Sequence, residues 1–260
     1  MATVETTLTH GVATLRLNRP ETHNAFDEVM ILELTEALAA AGADASVRVV
    51  VLRGAGKSFC AGGDLGWMQR MARFSDSENR ADAAALARML RTLDRCPKPV
   101  LAVVQGSAMG GGVGLVAASD IAIASDQAVF ALSEARLGLV PATISPYVIE
   151  AIGARACRRY FLTGERFAAA EAYRLGLVHE ICADDDIEAR VAAVLEALLA
   201  SAPGAQATAK ELIRQVSNAP LDAALIDATA ATIARIRSGG EAREGITAFF
   251  AKRKPNWVKT

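Results

Sequence analysis

Gly110-Gly111-Gly112-Val113-Gly114 stands between two apolar runs, Val100-Leu101-Ala102-Val103-Val104 before it and Leu115-Val116-Ala117-Ala118 after it. The first run reads as a buried strand and the second as the body of a short helix. Glycines crowded between a strand and a helix let backbone N–H groups approach a ligand closely, at the positive end of a helix dipole. Such a turn can be a close helix–strand packing device, a phosphate cradle, or a site for an oxygen that becomes negative during a reaction. Gly112-Val113-Gly114-Leu115-Val116-Ala117 also fits G-x-G-x-x-[GA], a dinucleotide pattern. However, Gln105 to Met109 separate it from the strand end, and Asp126 comes early for that pattern's acidic partner.

A second glycine loop, Lys57-Ser58-Phe59-Cys60-Ala61-Gly62-Gly63-Asp64-Leu65, also follows a buried strand, at 47–52. Two such loops at equivalent ends of neighbouring strands would each supply one N–H to a single oxygen, which describes an oxyanion hole for a thioester carbonyl becoming an enolate. Further out, 4–8 and 12–17 read as a hairpin across His10-Gly11, broken by Asn18-Arg19-Pro20-Glu21. Helical spacing follows over 27–41, with Asp27 as N-cap and Val29, Leu32, Leu34 and Leu38 as its apolar set. A helix over 79–95 buries Leu86, Met89, Leu90 and Leu93 and ends at Pro97 and Pro99. Strands are expected at 121–124 and 128–131. From Ala142 onward helices dominate, interrupted by the apolar run 177–181. This alternation predicts α/β architecture with an Ala-rich helical tail. The tail's apolar faces (Val191, Val194, Leu195 and Leu198; Ile226, Ile233 and Ile236) exceed what a lone helix needs, so they pack on the core or on another subunit.

The 260 residues carry 28 Lys and Arg against 29 Asp and Glu, a net charge of −1, which by bulk charge excludes a strongly basic nucleic-acid binder. Cys60, Cys96, Cys157 and Cys182 form no CxxC pair, so neither a zinc site nor a disulfide framework is expected. With no signal pattern and no membrane-length apolar run, the chain is expected in the cytoplasm, without membrane contact. His10 and His179 read as surface or turn residues. Ser107 and Ser133 have no paired histidine that would make either a hydrolase nucleophile.

Four segments, in order, carry a family resemblance: Leu17-Asn18-Arg19-Pro20-Glu21 with Asn24-Ala25; Ser58-Phe59-Cys60-Ala61-Gly62-Gly63-Asp64-Leu65; Gln105-Gly106-Ser107-Ala108-Met109-Gly110-Gly111-Gly112; and Phe130-Ala131-Leu132-Ser133-Glu134 with Gly138-Leu139-Val140-Pro141. Tyr160-Phe161-Leu162-Thr163-Gly164-Glu165 and the ending Lys252-Arg253-Lys254-Pro255 fit as well. The chain resembles the enoyl-CoA hydratase/isomerase (crotonase) family over nearly its whole length. That resemblance implies a spiral of ββα units over 1–195 carrying the acyl-CoA site, and a C-terminal helical oligomerisation region over 196–260. It implies a homotrimer, or a hexamer built as a dimer of trimers. The substrate would be a free acyl-CoA, with coenzyme A as part of the substrate and no metal or redox cofactor.

By the same resemblance Gly63 and Gly111 are the oxyanion donors and Glu134 is the catalytic carboxylate. His23, Ala25, Ala61, Asp64, Leu65, Gly110, Ser133 and Pro141 complete the substrate-binding set. Two-glutamate hydratases of this family carry a further glutamate just after the glycine cluster, where this chain has Gly114. Three explanations stand: one glutamate manages both proton transfers; the space at Gly114 admits a bulkier or charged substrate; or the enzyme is a Δ3-Δ2-enoyl-CoA isomerase, which needs a single carboxylate. Gly112 to Asp120, with Pro141-Ala142-Thr143-Ile144-Ser145-Pro146-Tyr147-Val148, resembles the bacterial branch acting on branched glutaconyl-CoA esters, such as the 3-methylglutaconyl-CoA hydratase of leucine breakdown and isohexenylglutaconyl-CoA hydratase. Hydration of such a substrate is the expected activity. A non-catalytic CoA- or RNA-binding protein on the same fold is the alternative of another class.

Overall fold

Strands β1 (Val4–Thr9) and β2 (Val12–Leu17) form the expected antiparallel hairpin. His10 and Gly11 at its turn both have positive φ, 49° and 82°, which gives the twist a two-residue connection needs. The computed structural model describes residues 2–217 and 219–258. Helix α1 (Glu28–Ala43) starts at Asp27, whose carboxylate accepts from the N–H groups of Val29 and Met30 at 3.1 and 3.0 Å. Its buried stripe is Met30, Ile31, Leu34, Leu38 and Ala41, while Val29 and Leu32 of the expected face are exposed. A helix with apolar residues on more than one face has no unique phase in sequence; packing against the sheet chooses one.

The chain continues through β3 (Val49–Gly54), α2 (Leu65–Met71), α3 (Asp76–Asp94), β4 (Val100–Val104), β5 (Ser107–Met109) and α4 (Gly111–Ala117). It then runs through β6 (Ile121–Ser125), β7 (Val129–Ala131), a 3-10 turn (Glu134–Leu137), α5 (Ser145–Thr163), β8 (Arg166–Ala168), α6 (Ala169–Leu175), β9 (Glu180–Cys182) and α7 (Ile187–Ala200). The large sheet has the order β1-β2-β3-β4-β6-β9, parallel at every pairing after the first hairpin. A small sheet has the order β5-β7-β8. β3 and β4 are buried almost without interruption, as strands covered on both faces must be. Phe59, Phe130, Leu15, Leu17 and Leu52 are completely buried around them.

The expected ββα repeat is visible as β4, β5, α4 and then β6, β7, α5. In two earlier turns the second strand has shrunk to one parallel bridge: Cys60 to Ala108 after β3, and Phe26 to Gly63 after β2. Cys60 pairs with Ala108, and Ala108 with Phe130. The residues three further along, Gly63, Gly111 and Ser133, therefore occupy equivalent places on successive turns.

One compact unit comprises Met1–Cys96 with Val100–Ala192; a second comprises Pro97–Pro99 with Ala193–Thr260. The second contains α8 (Pro203–Val216), α9 (Ala223–Arg237) and α10 (Gly240–Phe250). Within it, Glu241 accepts from the N–H groups of Gly204 and Ala205 at 2.9 and 3.0 Å, satisfying the start of α8. Lys210 donates to the Lys98 carbonyl at 3.0 Å, and Trp257 Nε1 to the Ala200 carbonyl at 3.0 Å. Ile213, Ile226, Ile233, Ile246, Phe249 and Phe250 stay exposed on these helices. Among the described residues no single helix is long and apolar enough to cross a membrane. The four cysteines are free thiols.

Candidate active site

The two glycine loops leave the same ends of β3 and β4, parallel neighbours in register at Val50 and Val100. Cys60 N–H donates to the Ser107 carbonyl at 3.0 Å, and Met109 N–H to the Cys60 carbonyl at 2.9 Å, stitching the loops together. Phe26 then holds the end of the first loop: its N–H donates to the Gly62 carbonyl at 2.8 Å and its carbonyl accepts from Asp64 N–H at 3.0 Å. In a parallel bridge these bonds go to the residues flanking Gly63, so the N–H of Gly63 itself points to the opposite side. Gly111 is the first residue of α4, where an N–H has no carbonyl one turn back to bond. Among the described residues neither N–H finds an acceptor.

The glycines have different physical reasons. A Cβ on Gly112 would run into the Cys60 carbonyl, and one on Gly62 would lie 2.8 Å from the Met109 carbonyl oxygen, so these two permit close backbone approach. A Cβ on Gly111 would strike the Phe26 ring, 2.8 Å from Cε1. Gly114 also packs: a Cβ there would collide with Ile144, 2.8 Å from its Cβ. The expectation of spare room at Gly114 is therefore corrected. Ile144, 2 % exposed, fills that place with hydrocarbon.

Glu134 follows β7 and opens the 3-10 turn, its carbonyl accepting from Leu139 N–H at 3.0 Å. Its Oε1 lies 3.0 Å from where a Cβ on Gly110 would stand, so the carboxylate sits beside Gly110. Oε2 is buried without a hydrogen-bond partner. Burial raises the Glu134 pKa above the ordinary glutamate value, opposed only by its own backbone N–H.

The other expected site residues surround this pair of loops. His23 and Asn24 are both left-handed, at φ 53° and 57°. His23 shares a 3.0 Å hydrogen bond with Ser58 Oγ, and its carbonyl accepts from Ala61 N–H at 2.9 Å. Asn24, fully buried, donates to the carbonyls of Ala55 and Ser58. Arg19 donates to the Ala25 carbonyl at 2.6 Å and pairs with Asp64 at 3.0 Å and Asp27 at 3.2 Å. The Asp64 carboxylate also caps α2 through Trp67 N–H at 3.0 Å. Burial pulls the Asp64 pKa up, but the Trp67 N–H and the Arg19 charge outweigh it, and the net shift is downward. Leu65 is 77 % exposed, Ser133 half-buried beside Glu134, and Pro141 buried. His179 is occupied, its Nδ1 accepting from Ala122 N–H at 3.1 Å.

Sequence reading missed Phe26, Arg19 as an anchor, and Ile144. Phe26 directly follows the Asn24-Ala25 motif, and Ile144 lies inside the Pro141 to Val148 stretch. The signals were present, but a collision with a glycine is legible only in three dimensions.

The family described as enoyl-CoA hydratase/isomerase matches residues 7–260. The fold superposes on an enoyl-CoA hydratase from Shewanella pealeana with a TM-score of 0.95 and 45 % identity, over 98 % of this chain and 96 % of that one. Pseudomonas aeruginosa AtuE superposes with a TM-score of 0.95 and 41 % identity, over 99 % of this chain and 100 % of that one. Enoyl-CoA hydratase ACTT6 of Alternaria alternata is 35 % identical over 242 residues, 92 % of this chain and 78 % of that protein. Motifs, topology and relatives agree, and the chain is an enzyme of the enoyl-CoA hydratase/isomerase family.

Proposed function

We propose that this enzyme is an enoyl-CoA hydratase that adds water across the 2,3 double bond of an acyl-CoA thioester, with a branched glutaconyl-type ester such as 3-methylglutaconyl-CoA as substrate. The observation that carries the hydratase reading is the pair of unpartnered N–H groups, Gly63 and Gly111, on equivalent turns beside the unpartnered Glu134 Oε2. The two N–H groups receive the thioester oxygen and stabilise the charge that develops there as C3 is attacked. Ionised Glu134 takes a proton from water as the oxygen bonds to C3. It then returns that proton to C2 of the enolate, so one water is consumed and the carboxylate is regenerated. Coenzyme A enters and leaves as part of the substrate, and this chemistry asks for no metal or redox group.

The branched substrate rests on the sequence of Gly112 to Asp120 and Pro141 to Val148, and on the lack of a second acid–base side chain at Gly114. A carboxylate carried by the substrate would help order the attacking water. The packing of Ile144 on Gly114 removes extra room there from the argument. His23, Ala25, Ala61, Asp64 and Leu65 frame the CoA approach through backbone groups and the exposed Leu65 side chain. We further propose a cytoplasmic homotrimer, or a hexamer of paired trimers, from the exposed apolar residues of α8 to α10.

The test is a panel of crotonyl-CoA, 3-enoyl-CoA and 3-methylglutaconyl-CoA, followed through the absorbance of the conjugated thioester. Loss of absorbance, with 3-methylglutaconyl-CoA turned over at least about tenfold faster than crotonyl-CoA, is expected; tenfold is about 1.4 kcal/mol of differential transition-state binding. Absorbance that appears from the 3-enoyl ester alone would make the enzyme an isomerase using Glu134 as its single base. No turnover of any thioester would leave a binding role.

A further inference from the structure

We propose that Phe26 is the positioning residue that sets the relation between the two halves of the oxyanion hole; this rests on the reading of Gly63 and Gly111 as its donors. Phe26 meets both halves by different means. Its backbone N–H and carbonyl clamp Gly62 and Asp64, at 2.8 and 3.0 Å, and so fix the direction of the Gly63 N–H between them. Its ring tip rests on Gly111, occupying the volume that a side chain there would need. No strand of the large or small sheet joins Gly63 directly to Gly111. The bridge from Cys60 to Ala108 ends three residues before either glycine.

Phe26 is itself immobilised. It is 3 % exposed, and its ring faces Trp67 at 6.0 Å between centroids. Trp67 in turn packs against Gly63, lying 3.3 Å from the position of an added Cβ. On the N-terminal side, buried Asn24 ties its loop to the carbonyls of Ala55 and Ser58. On the C-terminal side, Asp27 caps α1. The 19–27 segment thereby acts as a brace across the hole, in addition to lying at the substrate entrance. An oxyanion donor acts only within about 2.7–3.1 Å of the charged oxygen. A misplacement of about 1 Å costs on the order of a hundredfold in rate. Removing the ring tip should thus weaken binding of the enolate far more than binding of the ground-state thioester.

The experiment compares the wild type with Phe26→Leu and Phe26→Ala, which both keep the backbone bridge. Three quantities are read: kcat and KM for hydration; the near-ultraviolet enolate band of bound acetoacetyl-CoA; and the dissociation constant of butyryl-CoA, which cannot form a conjugated enolate. The expected result is a kcat fall of about tenfold for Phe26→Leu and about a hundredfold for Phe26→Ala, with a matching loss of the enolate band. KM and butyryl-CoA affinity stay within about threefold. If Phe26→Ala fails to fold, Phe26→Leu alone decides. The proposal is overturned if a folded variant keeps both kcat and the enolate band, or if butyryl-CoA affinity falls in step with kcat. A wild type that turns over enoyl thioesters without any enolate band overturns the oxyanion reading, and the role of Phe26 with it.

Discussion

In the hydration proposed above Glu134 carries the acid–base chemistry, and the same side chain carries a cost to the fold. Its Oε2 is buried with no partner, and burial raises its pKa. A base with a raised pKa is a stronger base but is ionised only at higher pH. The acidic limb of the hydration profile should therefore lie above the ordinary glutamate range, and kcat/KM should fall as pH drops through it. Glu134→Gln should lower kcat by about 10²–10⁴-fold while leaving butyryl-CoA affinity within a few-fold. Near-normal turnover by that variant would remove Glu134 from the mechanism. Stability should move the other way. Because the folded-state pKa is raised, the carboxyl favours folding only while protonated, and that advantage is lost as pH rises through the folded pKa. Above its folded pKa Glu134 is an ionised, poorly solvated carboxylate, a burden that glutamine does not carry. Glu134→Gln should thus melt higher than the wild type above that pKa, and the gap should close as pH falls below it. An unchanged gap across that range would mean that burial of the charge is not its cause.

At the scale of elements, α4 and the loop before α5 interlock at a glycine. The Gly114 Cα faces Ile144 so closely that even a methyl group collides. Gly114→Ala should cost about 1–3 kcal/mol as an overpacked core position. Gly114→Glu should be worse and should not create a second catalytic carboxylate. Ile144→Ala alone leaves a cavity, at about 2–5 kcal/mol. The double variant Gly114→Ala with Ile144→Ala should lose less than the sum of its parts, because the added methyl enters the vacated volume. Denaturant midpoints of the four proteins measure this; strict additivity would show that the two positions do not share space. This contact also marks what the sequence made legible. The run Val100 to Val104, the Asp27 cap and the Pro97 and Pro99 stop each carry a local signal, and β4, α1 and α3 form accordingly. The three-residue strands β5 and β8 have no period to read, and their partners lie more than twenty residues away. The start of α2 lies at the end of the second glycine loop, where Asp64 belongs to the motif and no helical period announces the cap it forms. Gly63, Gly111 and Glu134 are singled out in the sequence by the family resemblance of the segments that hold them, and the structure brings the two glycine loops together. Phe26 and Ile144 act by filling the space beside a glycine, and sequence spacing does not encode that.

At the scale of the molecule, the surface of the C-terminal helices is the outstanding feature. Phe249 and Phe250 are 78 % and 79 % exposed and pack edge to face on each other, with ring centroids 5.6 Å apart. Ile226, Ile233 and Ile246 are exposed on the neighbouring α9 and on α10. Isolated surface leucines or isoleucines need no explanation, but two adjacent bare phenylalanines at a helix end are costly to leave in water. Each buries on the order of 150–250 Å² when covered, and apolar burial is worth about 25 cal/mol per Å². Within the second unit Lys210, Glu241 and Trp257 satisfy backbone polar groups, while these apolar residues face outward. In the proposed trimer a second and third copy of the chain would cover them. Sedimentation equilibrium should return a mass three or six times the 27.2 kDa of the chain. Phe249→Asp with Phe250→Asp should shift that mass toward a single chain. At these exposed positions the melting temperature of the dissociated chain should change little, since surface substitutions stay within about 0.5 kcal/mol. A wild type that sediments as one chain at every concentration would leave the aromatic pair without its partner. A double variant that stays fully assembled would move the interface to other residues.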